Sequence, residues 1–180
     1  YYEPVPAARF HVPGLADERG PITLPADEAH HLRDVLRLKA GEQVRVFDGA
    51  GREWDGEVAE VTRRNVTVTL TRSVTPVAEP PVSVTLYAGL LRGDQMDAVV
   101  RDATMLGAAA IAPLTTDHVS VPVRAWRSGA AGEGWRRVAI ASAKQCGRAV
   151  VLEIFPVRPF ADVLVARSGE ATFICVEPSV

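Results

Sequence analysis

The sequence predicts an α/β protein in two parts: a small, closed or nearly closed β-barrel carrying one helix, then a parallel sheet with helices on both faces. Three observations predict it. Short alternating strands cluster in the first 75 residues, strand and helix alternate after residue 82, and a proline-rich stretch separates the two patterns. The expected units are residues 1–75, a linker at 76–81, and 82–180.

The first unit reads as β with one interruption. Arg9–Val12 and Ile22–Leu24 are short strand candidates. Asp27 is a good N-cap, and Ala29, Leu32, Val35 and Leu36 recur at helical spacing before Gly41. Val44-Arg45-Val46-Phe47 alternates, Asp48-Gly49-Ala50-Gly51 supplies a turn, and Trp54–Val61 and Val66–Leu70 alternate again. Several short strands and one helix in so few residues suit a barrel. Thr75-Pro76-Val77-Ala78-Glu79-Pro80-Pro81 then carries three prolines in seven residues, which no helix or central strand accommodates.

The second unit opens with the β-rich run Val82–Leu91. Met96, Val99, Val100, Ala103 and Leu106 mark one helical face, closed by Gly107. Ala108–Leu114 reads as a buried strand. Trp135, Val138, Ala139, Ser142, Ala143 and Cys146 mark a second helix. Val150–Phe155 is a strand, Ala161–Ala166 a short helix and Thr172–Val176 a final strand.

Composition narrows the function. The 180 residues are 47% hydrophobic and 23% charged, with a net charge of −2, which excludes a disordered chain. No run approaches the ~18 apolar residues of a membrane span, and no basic-then-apolar leader opens the chain, so a cytoplasmic protein is expected. The first residue is Tyr1 rather than Met, so the natural start is expected to be missing. Two cysteines, Cys146 and Cys175, are too few for a disulfide framework, no histidine stands at a ligand spacing, and no metal is expected. There is no glycine-rich nucleotide loop and no Gly-x-Ser-x-Gly elbow.

Charge is more informative by type. Lys39 and Lys144 are the only lysines among 20 basic residues; the rest are arginine, which suits paired hydrogen bonds to phosphate and is equally what a GC-rich genome produces. Residues 119–158 hold seven basic side chains against Glu133 and Glu153, a local stripe able to carry an anionic polymer. His30, Arg33 and Arg37 share one helical face, either a phosphate-contacting face or an ordinary solvated one. Arg92-Gly93-Asp94 ends a strand, where ligands bind in open α/β sheets, or simply turns into a helix capped by Asp94. Lys144 to Arg148 either faces a ligand or compensates a helix dipole.

Taken together, these segments resemble the RsmE family of 16S ribosomal RNA (uracil-N3) methyltransferases. His31-Leu32-Arg33-Asp34-Val35-Leu36-Arg37, Gly41 and Val46-Phe47-Asp48-Gly49 look like its N-terminal domain. Leu90-Leu91-Arg92-Gly93-Asp94, Ala103-Thr104-Met105-Leu106-Gly107 and Ile111-Ala112-Pro113-Leu114 look like the start of its catalytic domain, and Gln145-Cys146-Gly147-Arg148 matches its Gln-(Ser/Cys)-x-Arg signature. The matches run in the family's order from Arg9 to Val176.

The resemblance implies a PUA-like RNA-binding barrel and a SPOUT-type methyltransferase domain that binds S-adenosylmethionine in a C-terminal trefoil knot. It also implies a homodimer acting on the small ribosomal subunit. Arg9, His31, Arg33 and Arg37 would contact rRNA from the barrel; Arg92, Lys144, Gln145 and Arg148 would do so from the second domain. The family's Gly-Pro-Glu-Gly-Gly loop and Leu-Gly-x-x-Ile-Leu-Arg segment have no counterpart in these residues. The knot is therefore expected to be missing from this chain, leaving Val176, Glu177 and Pro178 as the first edge of the cofactor pocket. Asp102 and Met105 stand where the family has Lys and Glu, Ala141 where a Glu is expected, and Leu152 where a Pro is expected. A charged network near that helix is thus weakened or rebuilt, and a non-catalytic RNA-binding ribosome-assembly module of the same fold is the alternative.

Overall fold

The computed structural model describes residues 7–15, 19–117, 130–164 and 171–175. Val176, Glu177 and Pro178 lie outside the described residues, as does the end of the short helix expected at 161–166.

The first unit is built on a five-stranded sheet. Its strands are β1 (Ala8–His11), β2 (Gly20–Thr23), β3 (Gln43–Phe47), β4 (Glu53–Val61) and β5 (Val66–Val74), in the order β1-β3-β4-β5-β2. β1 pairs parallel to β3, and the other ladders are antiparallel. Alternation does what it predicts: Val44 and Val46, Val66, Val68 and Leu70 point inward and are buried with Phe10, Trp54 and Val58.

The one helix departs from expectation in three ways. α1 (Ala26–His30) starts at Pro25, not Asp27, and has no side-chain cap. Pro25 has φ −53° and its carbonyl accepts from the Ala29 N–H, so proline initiates the helix and Asp27 falls in the first turn. α1 continues directly as a π-helical segment, His31–Leu36. The wider turn changes which residues face the sheet. Ala29 and Leu32 stay buried, but Val35 and Leu36, expected on the same face, are exposed.

The second unit has β6 (Thr85–Gly89), β7 (Ala110–Thr115) and β8 (Glu153–Ile154) in that order, all parallel, with β9 (Arg158–Pro159) pairing further along β7. α2 (Gln95–Met105) links β6 to β7, α3 (Ala130–Cys146) precedes β8, and α4 (Phe160–Leu164) follows β9. The helices were expected on both faces. Instead α2 and α3 lie together, sharing one core cluster of Met96, Val100, Ile111, Trp135, Ala139 and Leu152. The strand order explains this: each crossover steps in the same direction, and two right-handed crossovers in one direction fall on one face. Leu106 also leaves the expected face, because it is the C-cap residue beyond the last turn, and is exposed.

The expected final strand is not formed. Residues 172–175 make no ladder, and Phe173 and Ile174 are 90% and 70% exposed. Strand propensity needs a partner strand to become structure, and none pairs with them among the described residues.

Candidate nucleic-acid interface

The end of α3 is where the two units meet. Helix C-termini leave carbonyls without partners, and cations satisfy them best. Arg9, on β1, does so across the boundary. Its Nη1 donates to the Ala143 and Lys144 carbonyls at 2.7 and 3.3 Å, and its Nη2 to the Arg148 carbonyl at 3.0 Å. Its Nε donates to Glu53 Oε1 at 2.8 Å, and Glu53 is buried on β4. Lys144 Nζ reaches back to Glu28 Oε2 on α1 at 2.7 Å.

The turn before β4 completes the joint with main-chain bonds. Gly51 N–H donates to the Ala149 carbonyl at 3.2 Å, and Val151 N–H to the Gly49 carbonyl at 2.9 Å. Gly49 has φ +78°, and a Cβ there would stand 2.8 Å from His11 Nε2. Only glycine fits this approach. His11 itself is buried against Phe47, with ring centroids 5.3 Å apart. Burial pulls its pKa below the ordinary histidine value; Glu28 opposes that shift and Arg136 adds to it.

Arg148 is the third anchor. It is 7% exposed. Nη1 donates to the carbonyls of Thr104 and Ala108 at the end of α2, while Nε and Nη2 hold Glu79 of the linker. Beside it Pro80 seats against Gly107, where a Cβ would stand 2.6 Å from the proline ring. The carboxylate beside Arg148 thus comes from the linker.

A cleft of about 850 Å³ opens beside this joint. Arg9, His31, Leu36 and Arg45 line it from the barrel, and Arg137, Ala141, Lys144 and Gln145 from α3. Arg137, Ala141 and Gln145 recur every four residues and form one exposed stripe along the helix. The side chains of Arg137 and Gln145 make no hydrogen bond with the described residues, so their donors are available to a ligand. His31 lies edge-on to Phe10, centroids 6.3 Å apart.

The structure therefore divides the residues expected to touch RNA. His31 and Gln145 face the cleft. Arg37 is exposed at the far end of the π segment, and Arg92 is exposed in the turn from β6 to α2. The charged groups of Arg9, Lys144 and Arg148 are engaged within the protein, Arg9 and Lys144 on the cleft wall and Arg148 buried at the joint. Arg33 is also occupied. Nε and Nη2 bind Asp34, and Nη1 donates to the Thr62 and Arg63 carbonyls at 3.4 and 3.0 Å. That hydrogen bonding holds the Asp34 carboxyl below its ordinary value. Asp94 occupies the N-cap position of α2 without a side-chain cap.

Sequence reasoning missed the acids, Glu28, Glu53 and Glu79, because nothing local marks their partners. It also passed over Arg63 and Arg64, an adjacent basic pair between two strands. Among the described residues no group of His, Cys, Asp and Glu could hold a metal ion, and no helix is long and apolar enough to cross a membrane.

Comparison with known proteins now bears on this geometry. Residues 24–71 match the family described as RNA methyltransferase PUA domain, and residues 78–179 match the RNA methyltransferase domain. The second match alone spans more than half the chain. The chain belongs to the RsmE family of RNA methyltransferases. Within it, the ribosomal RNA small subunit methyltransferase E of Synechocystis sp. is 32% identical over 127 residues, 71% of this chain and 40% of that protein. The Bacillus subtilis protein of the same name is 25% identical over 148 residues, 82% of this chain and 58% of its own. This chain thus spans about half the length of these RsmE relatives. Among solved structures, a putative methyltransferase from Legionella pneumophila in complex with S-adenosylmethionine superposes with a TM-score of 0.84 at 26% identity, covering 92% of this chain and 68% of that one. The Neisseria gonorrhoeae ribosomal RNA small subunit methyltransferase E, bound to S-adenosyl methionine, gives a TM-score of 0.85 at 24% identity, covering 91% and 67%; it shows the shared fold. The RsmE fold here is a PUA-like domain followed by a SPOUT-type methyltransferase domain.

Proposed function

We propose that this protein is an S-adenosylmethionine-dependent methyltransferase acting on N3 of a specific uridine in the 16S rRNA of the small ribosomal subunit. It works as a homodimer in the cytoplasm and needs no metal. The observation that carries this reading is the order of two family matches, PUA domain then RNA methyltransferase domain, along one chain whose two units are locked at the α3 joint.

S-adenosylmethionine supplies the electrophilic methyl group when bound. Uracil N3 is protonated near neutral pH, so its proton must leave as the methyl arrives, with donor and acceptor held in line. The residues expected at the first edge of the donor site, Val176, Glu177 and Pro178, lie outside the described residues. What this part of the chain supplies is recognition and placement. Arg37, Arg92, Arg137, His31 and Gln145 offer side chains to RNA. Arg9, Lys144 and Arg148 fix the barrel and linker against the end of α3, so RNA held by one unit is presented at a set angle to the other.

The test is methyl transfer by the protein in its full natural length. Purified small subunits lacking the modification are incubated with protein and donor, and the rRNA is digested and analysed by mass spectrometry. A new 3-methyluridine is expected. RNA binding without any methylated nucleoside would instead favour the non-catalytic assembly module, to which the Met105 and Ala141 departures point.

A further inference from the structure

The end of the π-helical segment and the turn between β4 and β5 carry exposed cations that outnumber the exposed acids around them among the described residues. Thr62 to Asn65 form the turn between β4 and β5, and it is rigid. Thr62 N and Oγ1 donate to the Asn65 carbonyl at 2.9 and 2.8 Å, and Asn65 N donates back to Thr62 Oγ1 at 2.9 Å. The two residues at its tip are Arg63 and Arg64, both exposed and neither paired with a described residue. Arg33 clamps this turn to the π-helical segment through the Thr62 and Arg63 carbonyls.

The π segment ends on Arg37. It is the one non-glycine residue with positive φ among the described residues, at +57°. Left-handed backbone in a long side chain costs energy and tends to mark a functional position. A π-helical turn likewise concentrates at functional sites. Arg37 and the neighbouring Lys39 side chain are exposed and pair with none of the described residues. The exposed acids around them, Asp34, Glu42 and Glu60, are fewer than the four exposed cations Arg37, Lys39, Arg63 and Arg64. Asp34 is taken by Arg33 and His30, and Glu42 accepts from the Lys39 backbone N–H.

We propose that Arg37, Lys39 and the Arg63-Arg64 turn form a phosphate-gripping ridge that holds the backbone of a folded RNA segment, with Arg33 fixing the turn's position. The ridge rests on the reading that this protein binds rRNA, and adds a second grip to the cleft. Guanidinium forks match phosphate oxygens, and rigid presentation lowers the entropy lost on binding. Such contacts carry no sequence information; they set orientation and make binding depend on salt.

The experiment is filter binding of transcribed 16S rRNA to the full-length protein across a series of potassium chloride concentrations. Arg63→Ala/Arg64→Ala is expected to weaken binding about ten-fold near 0.1 M salt and to flatten the slope of log affinity on log salt by about 1.5, roughly 0.7–0.9 per phosphate contact. Arg33→Lys keeps the charge but loses the fork that holds the turn, and should weaken binding several-fold. Arg101→Ala removes a paired surface charge on α2 and should change neither quantity. A double variant with the wild-type slope, or with no more loss than Arg101→Ala, overturns the ridge while leaving rRNA binding intact. Unchanged binding to naked rRNA with lost binding to whole subunits would assign the surface to an acidic protein face and also overturn it. No rRNA binding by the wild-type protein would remove the underlying functional reading as well.

Discussion

Arg148 holds Glu79 through Nε at 3.0 Å and Nη2 at 2.5 Å, while its Nη1 donates to Thr104 and Ala108 at 2.7 and 3.1 Å. One side chain thus ties the end of α3 to the linker and to the end of α2. Its side chain is 8% exposed and that of Glu79 is 32% exposed. Removing one partner of such a pair leaves a charge and two carbonyls without their bonds, at a cost of about 3 kcal/mol. Arg148→Ala should lower the urea midpoint accordingly, and Glu79→Ala by less, because the arginine keeps both carbonyls. In binding to rRNA, Arg148→Ala should leave the salt slope at the wild-type value. A fallen slope with unchanged stability would return Arg148 to the RNA face.

Lys144 and Glu28 make a second bond across the boundary, with side chains 19% and 7% exposed. Charge reversal tests it. Lys144→Glu alone places two carboxylates together, and Glu28→Lys alone places two ammonium groups together; each should cost about 2–4 kcal/mol. The double reversal restores the pair with its ends exchanged. Denaturant unfolding of the four proteins should give a coupling energy of about 1–3 kcal/mol. Additive costs would mean the two side chains do not act on each other.

Gly49→Ala bears on the main-chain part of the joint. Alanine at φ +78° costs about 1–2 kcal/mol before any contact is counted. Its Cβ would also meet Val151 Cγ2 at 3.0 Å besides His11 Nε2, and both are packed side chains. A total loss above about 2 kcal/mol is expected in thermal unfolding. Gly51→Ala, where a Cβ would meet only Val150 Cγ2 at 3.7 Å, serves as the comparison and should cost less.

What the sequence made legible, and what it did not, follows from range. Alternation at Val44–Phe47 and Val66–Leu70 is local, so strands and their buried faces could be read directly. The π-helical winding could not: the same apolar spacing at Ala29, Leu32, Val35 and Leu36 serves either helix, and only packing decides which residues turn inward. The ion pairs were further out of reach. Arg148 and Glu79 are 69 residues apart, and Lys144 and Glu28 are 116. Within the basic stripe at 119–158, Lys144 and Arg148 read as surface cations until the carboxylates that pair with them are located. The family signature at Gln145 to Arg148 was visible. Its role at the joint was not, because a signature records which residues recur and not what they touch.

His11 gives the joint a pH dependence whose sign can be worked out. Burial, partly offset by Glu28, depresses its pKa in the folded protein, so between the folded value and the ordinary 6.5 the unfolded chain binds more protons. Stability from neutral His11 is complete above pH 6.5 and is lost as pH falls through that value toward the depressed one. Asp48 and Asp55 act in a different window. Burial raises both carboxyls, but hydrogen bonds from Arg52 and Ala50 to Asp48, and from Arg72 and Arg45 to Asp55, outweigh it and hold both below 3.8. Their contribution is present above that value and fails only in stronger acid. Urea midpoints measured at pH 7.5 and pH 5.5 therefore isolate the histidine. The wild-type protein should be less stable at the lower pH, and His11→Gln, although weaker at pH 7.5, should lose less between the two. An equal loss in both proteins would move the titrating group elsewhere.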